Sequence, residues 1–333
     1  MKIKIIIILF LTGIVLQGCI EENVLDALTP VTVKLKWVHQ AQFAGQYMAK
    51  EKGFYKDEGL NVTLTSFTFE NPSLDSVIDG SALFGITGAD ELLLKIQEGH
   101  PLKAIAVIYQ INPVCAYSLS ESNITKPQDF IGKTIGIERA SDGTDINVGI
   151  LYYAMMAKQG INRSQVNEVT IGYDATELLA GETDISTGYI INEPHQAIEA
   201  GYAVNTILMA DYGVNMYADV IFTRTDTIEN NPELCVKFLQ ATLNGWQYAI
   251  EHEEETVNTV LQYAENRSYA HEEYMLRNSI PLINDGITPI GSMEKEKWEN
   301  VQTILLEYDI INQSIDIEKA YTTEFLETIY GEI

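Results

Sequence analysis

From residue 31 onward the chain alternates two hydrophobic patterns. Val31, Val33, Leu35 and Trp37 are separated by Thr32, Lys34 and Lys36, the two-residue period of a strand with one buried face. From about Gln42 to Asp57 the period changes, with Phe43, Gln46, Tyr47, Lys50 and Phe54 at helical spacing. Gly59 follows, a residue suited to the left-handed conformation that closes a helix. The alternation continues with a strand at Asn61–Phe69, a helix from Asn71-Pro72-Ser73 to about Asp79, and a short strand at Ser81–Ile86. The small-residue turn Thr87-Gly88-Ala89 leads into a helix at Asp90–Glu98, and Leu102–Tyr109 is a further strand. Strands and helices alternating at these lengths predict an α/β fold with a parallel sheet and crossover helices.

Gln110-Ile111-Asn112-Pro113 breaks the pattern, and Val114–Leu119 is another apolar run. Ser120–Phe130, containing Pro127, reads as the passage into a second lobe. There, strands are expected from Ile131, at Val166–Ile171, at Ile185–Ile191 and at Val204–Met209, with helices at Ile146–Gln159 and Ala175–Ala180. Tyr217–Thr223 returns to the first lobe, and from Asn231 the pattern is mainly helical. The expected organisation is a discontinuous first lobe, 31–119 plus 219–333, with a second lobe, 120–218, inserted in it.

In open α/β sheets, ligands bind at the carboxyl ends of the strands. Trp37, Gln40, Gln42 and Phe43 lie at one such end, Thr87 at a second, Gly143 and Thr144 at a third, Asn192 and Glu193 at a fourth, and Tyr212 in a polar turn after a fifth. Rings supply stacking faces and amides supply both donors and acceptors. Glu193 can accept hydrogen bonds from an amino group on a ring. A structural reading competes at each position. Trp37 and Phe43 can be core, the amides and Thr87 can cap helices, and Glu193 can be a first-turn acid favoured by the helix dipole.

The 333 residues suffice for two lobes, and 46% hydrophobic content supports sizeable cores. A formal net charge of −26 argues against nucleic-acid binding, which requires a basic footprint. The start, MKIKIIIILFLTGIVLQGC, has a basic region at Lys2 and Lys4 and an apolar core at Ile5–Leu16. That core is too short to span a bilayer as a mature helix and reads as a signal peptide over residues 1–18. Leu16-Gln17-Gly18-Cys19 resembles a lipobox, with Cys19 as the lipid-bearing residue and 19–30 as a tether; Gln17 is an unusual member of such a box. Cleavage would remove two lysines and take the charge from −26 to −28. Cys115 and Cys235 read as buried free thiols, and no CxxC or His/Cys spacing suggests a zinc site.

The run HQAQFAG after Trp37, then AKEKGFYKDEGL, GITGADELL, IYQINP, NEP and DYG, resembles the ABC-transporter substrate-binding proteins of the thiamine-pyrimidine-precursor, riboflavin, alkanesulfonate and nitrate group. The resemblance runs from about Val31 to the C-terminal helices and is more specific for the superfamily than for the ligand. It implies a two-lobed periplasmic-binding-protein type II fold with a ligand cleft between the lobes. It also implies an extracytoplasmic, monomeric receptor, anchored to the membrane by its lipid, that delivers a small molecule to ABC permease subunits without a cofactor or metal. Among ligands it places the thiamine pyrimidine precursor first and riboflavin second. Alkanesulfonates and nitrate come lower, because no Arg or Lys falls at the candidate strand ends, although Lys36 and Arg139 are near.

A related eukaryotic and fungal branch synthesises the thiamine pyrimidine. It resembles these binders but carries a Lys and a His where Thr87 and Glu91 stand here, and a Cys-rich iron-binding run that this sequence lacks. The residues themselves agree with a non-enzyme: there is no GxSxG or HExxH, and of five histidines only His39 is placed toward the cleft. His195, following Pro194, is expected to face outward. A sensory binding module that signals through a separate partner protein is the remaining alternative.

Overall fold

Each lobe is built on a five-stranded sheet, and the two sheets share one topology. The computed structural model describes residues 28–139 and 147–331. The chain opens with β1 (Thr29–Lys34), α1 (Ala44–Glu51), α2 (Phe54–Asp57), β2 (Leu60–Thr65), α3 (Ser73–Ile78), β3 (Phe84–Thr87), α4 (Ala89–Gln97) and β4 (Leu102–Tyr109). It continues through β5 (Val114–Leu119), β6 (Thr134–Glu138), α5 (Asn147–Lys158), β7 (Asn167–Ile171), α6 (Thr176–Leu179), β8 (Ile185–Tyr189), α7 (Glu193–Glu199) and β9 (Val204–Leu208). After β10 (Ala218–Arg224) come α8 (Thr225–Asn230), α9 (Pro232–Glu251), α10 (Glu253–Val260), α11 (Tyr269–Ile283), α12 (Lys295–Glu307), α13 (Ile317–Ala320) and α14 (Glu324–Tyr330).

The first sheet has the order β2-β1-β3-β10-β4 and the second β7-β6-β8-β5-β9. Three strands of each are parallel, as the βα alternation requires. In each sheet the strand that enters from the other lobe runs antiparallel to both neighbours: β10 between β3 and β4, and β5 between β8 and β9. Val114–Leu119 therefore belongs to the second sheet and not to the first lobe. The chain passes between lobes at 110–113, ahead of the expected Ser120–Phe130 crossing. The six-residue apolar run fits a buried strand of either sheet, and only its long-range pairing decides which.

The helix expected over 42–57 is interrupted. A 3-10 turn, Ala41–Phe43, precedes α1, and Gly53 at φ 84° separates α1 from α2. α1 crosses α9 at a distance only glycine permits. A Cβ on Gly45 would lie 2.2 Å from the Trp246 ring, and one on Gly245 would lie 2.1 Å from the Gly45 carbonyl oxygen. Beneath this crossing, Phe238 of α9 stacks on Phe84 at 4.0 Å and on Tyr55 at 5.7 Å. The C-terminal helices thus cover the first lobe, as the sequence pattern suggested. Cys115 and Cys235 are buried free thiols. Among the described residues no helix is long and apolar enough to cross a membrane.

Candidate functional site

The carboxyl ends of the parallel strands in both sheets open on one cavity of about 270 Å³. Five of the sequence-predicted residues line it: Trp37, Gln40, Gln42, Asn192 and Glu193. Trp37 follows β1 and starts an aromatic wall. Its indole stacks on Phe67, just beyond β2, at 5.4 Å, and meets Tyr173, just beyond β7, edge-on at 5.1 Å. Phe69 packs against Phe67 at 5.0 Å and is 58% exposed. The wall therefore takes rings from both lobes and reaches solvent through Phe69.

Opposite the rings, a chain of hydrogen bonds crosses between the lobes twice. Lys36 donates to the Tyr189 hydroxyl at 3.0 Å, which in turn donates to Asn147 Oδ1 at 3.2 Å. Lys36 also faces Asp219 at 3.7 Å, and Gln42 donates to both Asp219 oxygens at 2.9 and 3.0 Å. Gln40 donates to Gln42 at 2.8 Å. Arg267 then bridges Gln40 Oε1 at 3.1 Å and Asn192 Oδ1 at 3.2 Å, joining the lobes a second time. The three amides expected to contact a ligand, Gln40, Gln42 and Asn192, thus also brace the cleft.

Buried carboxyls set the electrostatics. Glu193, 5% exposed, accepts from the Tyr189 backbone N–H at 2.7 Å and from Asn192 Nδ2. Burial pushes it up to about 7 despite these bonds. Its place depends on Gly188, where a Cβ would stand 2.7 Å from Glu193 Oε2. Glu138, 6% exposed, ends β6, and burial with the charges of Glu193 and Asp174 raises it well above the carboxylate range. Burial lifts Asp219 to about 6 against the pull of Lys36 and Gln42. Burial alone would depress Lys36, but Tyr189, Asp219 and Glu91 outweigh it and keep the ammonium charged.

Among the described residues Glu138 Oε1, an acceptor, has no hydrogen-bond partner, and Asn147 Nδ2, a donor, has only the buried carboxyl of Asp90 facing it. An unmade buried hydrogen bond costs about 1–3 kcal/mol. Among the described residues the wall includes no serine, cysteine or histidine.

Other expectations fall elsewhere. Phe43 is fully buried in the first-lobe core, because it lies on the inner side of the 3-10 turn. Thr87, 2% exposed, donates to Glu91 at 2.7 Å, and the Gly88 N–H also donates to Glu91, so this turn serves the start of α4. Tyr212 is partly buried against the core and is not part of the wall. His39 bonds the Tyr47 hydroxyl at 2.9 Å, outside the wall. His195 turns inward, 8% exposed and stacked on Tyr274 at 4.1 Å. Cys19, Gly143 and Thr144 lie outside the described residues. The sequence reading missed Phe67, Tyr173, Glu138 and Tyr189 as site residues. Each stands at, or two residues beyond, the carboxyl end of a parallel strand, so the strand-end rule applied to every strand would have found them.

Residues 40–256 match the family model described as NMT1/THI5 like. The chain is 27% identical over 317 residues to the riboflavin-binding protein RibY of Chloroflexus aurantiacus, covering 91% of this chain and 88% of that one. It is 24% identical over 332 residues to the formylaminopyrimidine-binding protein of Halalkalibacterium halodurans, covering 97% and 99%. A 4-amino-5-hydroxymethyl-2-methylpyrimidine phosphate synthase of Legionella pneumophila is 21% identical over 311 residues, covering 91% and 94%. Among solved structures, the periplasmic aliphatic sulphonate binding protein SsuA of Escherichia coli superposes with a TM-score of 0.70 at 13% identity, covering 87% of this chain and 91% of that one. That likeness is one of fold, the two-lobed periplasmic-binding-protein fold.

Proposed function

The chain belongs to the NMT1/THI5-like family, and from that premise we propose that it is the extracytoplasmic solute receptor of an ABC importer for a small aminopyrimidine, the thiamine pyrimidine precursor. The observation that carries the reading is Glu138 Oε1, unpaired among the described residues, with the Asn147 Nδ2 donor beside the same aromatic wall. An amino group next to a ring nitrogen supplies one donor and one acceptor, and a flat ring suits the Trp37–Phe67–Tyr173 surface. Glu193, protonated in part near neutrality, is a second partner for the same edge.

Riboflavin is the second reading, favoured by the 27% identical relative. Against it stands the cavity of about 270 Å³, below the roughly 300–1,000 Å³ of pockets for drug-sized ligands. Sulfonates and nitrate are disfavoured because Glu91, Glu138 and Glu193 surround the cavity, and its one cation among the described residues, Lys36, is already paired with Asp219. A synthase reading is disfavoured because Thr87 and Glu91 serve a helix start. Cleavage before Cys19 and lipidation there would tether the receptor to the outer face of the membrane, where its closed form docks on the permease.

The test is calorimetric titration of the chain lacking residues 1–19 with the hydroxymethyl-aminopyrimidine, its formylamino form, riboflavin and taurine. Tight binding of a pyrimidine alone supports the proposal. Binding of riboflavin alone replaces the ligand, and binding of none overturns the site.

A further inference from the structure

Outside the cleft cavity, the fold brings together three side chains that the sequence keeps apart. His195 and Glu199 share one face of α7 in the second lobe, and His271 comes from the first turn of α11 on the first lobe. His195 Nδ1 and His271 Nδ1 are 3.3 Å apart, and His271 Nδ1 lies 3.3 Å from Glu199 Oε2. The third edge, His195 Nδ1 to Glu199 Oε2, is 3.9 Å. Zinc bonds of about 2.0–2.1 Å at tetrahedral angles place ligand atoms about 3.3 Å from one another. Two edges of this triangle match that spacing, and a small motion of the half-exposed Glu199 closes the third.

We propose that His195, Glu199 and His271 form a divalent transition-metal site, of zinc type, that clips α7 of one lobe to α11 of the other. The surrounding contacts orient the donors. Ser268 donates to Glu199 Oε1 at 2.8 Å, which leaves Oε2 for the histidines. Tyr274 holds the His195 ring plane by stacking. Asn192 Oδ1 lies 2.9 Å from His271 Nε2, so it accepts the proton of the tautomer that frees Nδ1 for a metal. Arg267 Nη1, 3.0 Å from the same Nε2, suits the other tautomer, in which Nδ1–H points to Glu199. Metal binding therefore moves one proton across the His271 ring, while Arg267 keeps its bonds to Asn192 and Gln40. Both histidines are buried, at 8% and 3% exposure, and Glu199 opens to solvent, giving an entry path and room for a water as fourth ligand.

The test uses the purified full chain, stripped of metal with chelator and titrated with Co²⁺ and Zn²⁺. The expected result is one equivalent of Co²⁺ with the visible absorption of tetrahedral coordination, displaced by Zn²⁺, and a His271 tautomer change in ¹⁵N spectra. Glu199→Gln, at a half-exposed position that tolerates the change, should abolish the absorption. Ser268→Ala should weaken binding about 10-fold, as loss of an orienting partner does. His195→Gln serves as the independent second ligand variant, with circular dichroism to confirm folding. Absence of saturable binding, or binding that survives unchanged in folded Glu199→Gln and His195→Gln, would overturn the proposal.

Discussion

Lys36 Nζ and the Tyr189 hydroxyl are 3.0 Å apart, although 153 positions separate them in sequence and they stand on different lobes. Each ends the middle region of its own sheet, Lys36 just after β1 and Tyr189 at the end of β8. The bond makes the lobe closure part of the proposed recognition surface. Tyr189→Phe should keep the fold and weaken ligand binding about 10-fold, the worth of roughly one hydrogen bond. Lys36→Met should also destabilise the chain, by about 3 kcal/mol, because it leaves Asp219 buried without its cation. Denaturant unfolding and titration of both variants separate these effects.

Gly188 and Glu193 make a second such pair. Gly188→Ala would place a methyl group 2.7 Å from Glu193 Oε2 and push the carboxyl away from the Tyr189 N–H. Ligand affinity should fall at least about 10-fold, with a stability cost of about 1–3 kcal/mol for overpacking. Unchanged affinity would mean that Glu193 does not meet the ligand.

The buried acids give a pH dependence of unusual sign. Glu193 has its folded-state value raised by burial from 4.5 to about 7. Between those values the folded chain keeps a proton that the unfolded chain has lost, so stability falls as pH rises through the window. Burial raises Glu272 to about 7 and Asp219 to about 6, which adds in the same direction. His39, His195 and His271, lowered mainly by burial, act oppositely between their folded values and 6.5. The clean readout is the comparison of Glu193→Gln with wild type. The variant should gain on wild type as pH rises from about 5 to about 8, by about 1.4 kcal/mol for each pH unit that separates the folded and unfolded values. Urea unfolding at several pH values measures the gain.

At the crossing of α1 and α9, Gly45→Ala would drive a methyl group into Trp246. A loss of about 1–3 kcal/mol or more is expected, read as a lower urea midpoint without any specific effect on the ligand site.

The alternation of strand and helix periods made the two-lobed α/β plan legible, and Gly59 and Pro194 marked a helix end and a helix start as expected. What escaped was decided by contacts distant in sequence. The run Val114–Leu119 reads equally well in either sheet, and its pairing with β8 and β9 assigns it. His195 lies on a seven-residue helix, too short for its polar pattern to fix which side faces inward, and Tyr274 of another lobe supplies the surface it stacks on. Phe43 and Trp37 are both aromatic residues near one strand end. Only the 3-10 turn that ends in Phe43 sends that ring into the core, while Trp37 stays at the cavity.

In the proposed complex an amino group of the ligand meets the Glu138 oxygen that is unpaired among the described residues. A double-mutant cycle measures this contact: calorimetric titration of wild type and Glu138→Ala, each with the aminopyrimidine and with the analogue lacking the amino group. A coupling of about 0.5–1.5 kcal/mol is expected, the range for a hydrogen bond to a neutral group, since burial keeps Glu138 protonated, so that removing either partner makes removal of the other nearly silent. Additive losses, or a pyrimidine affinity untouched by Glu138→Ala, would contradict it.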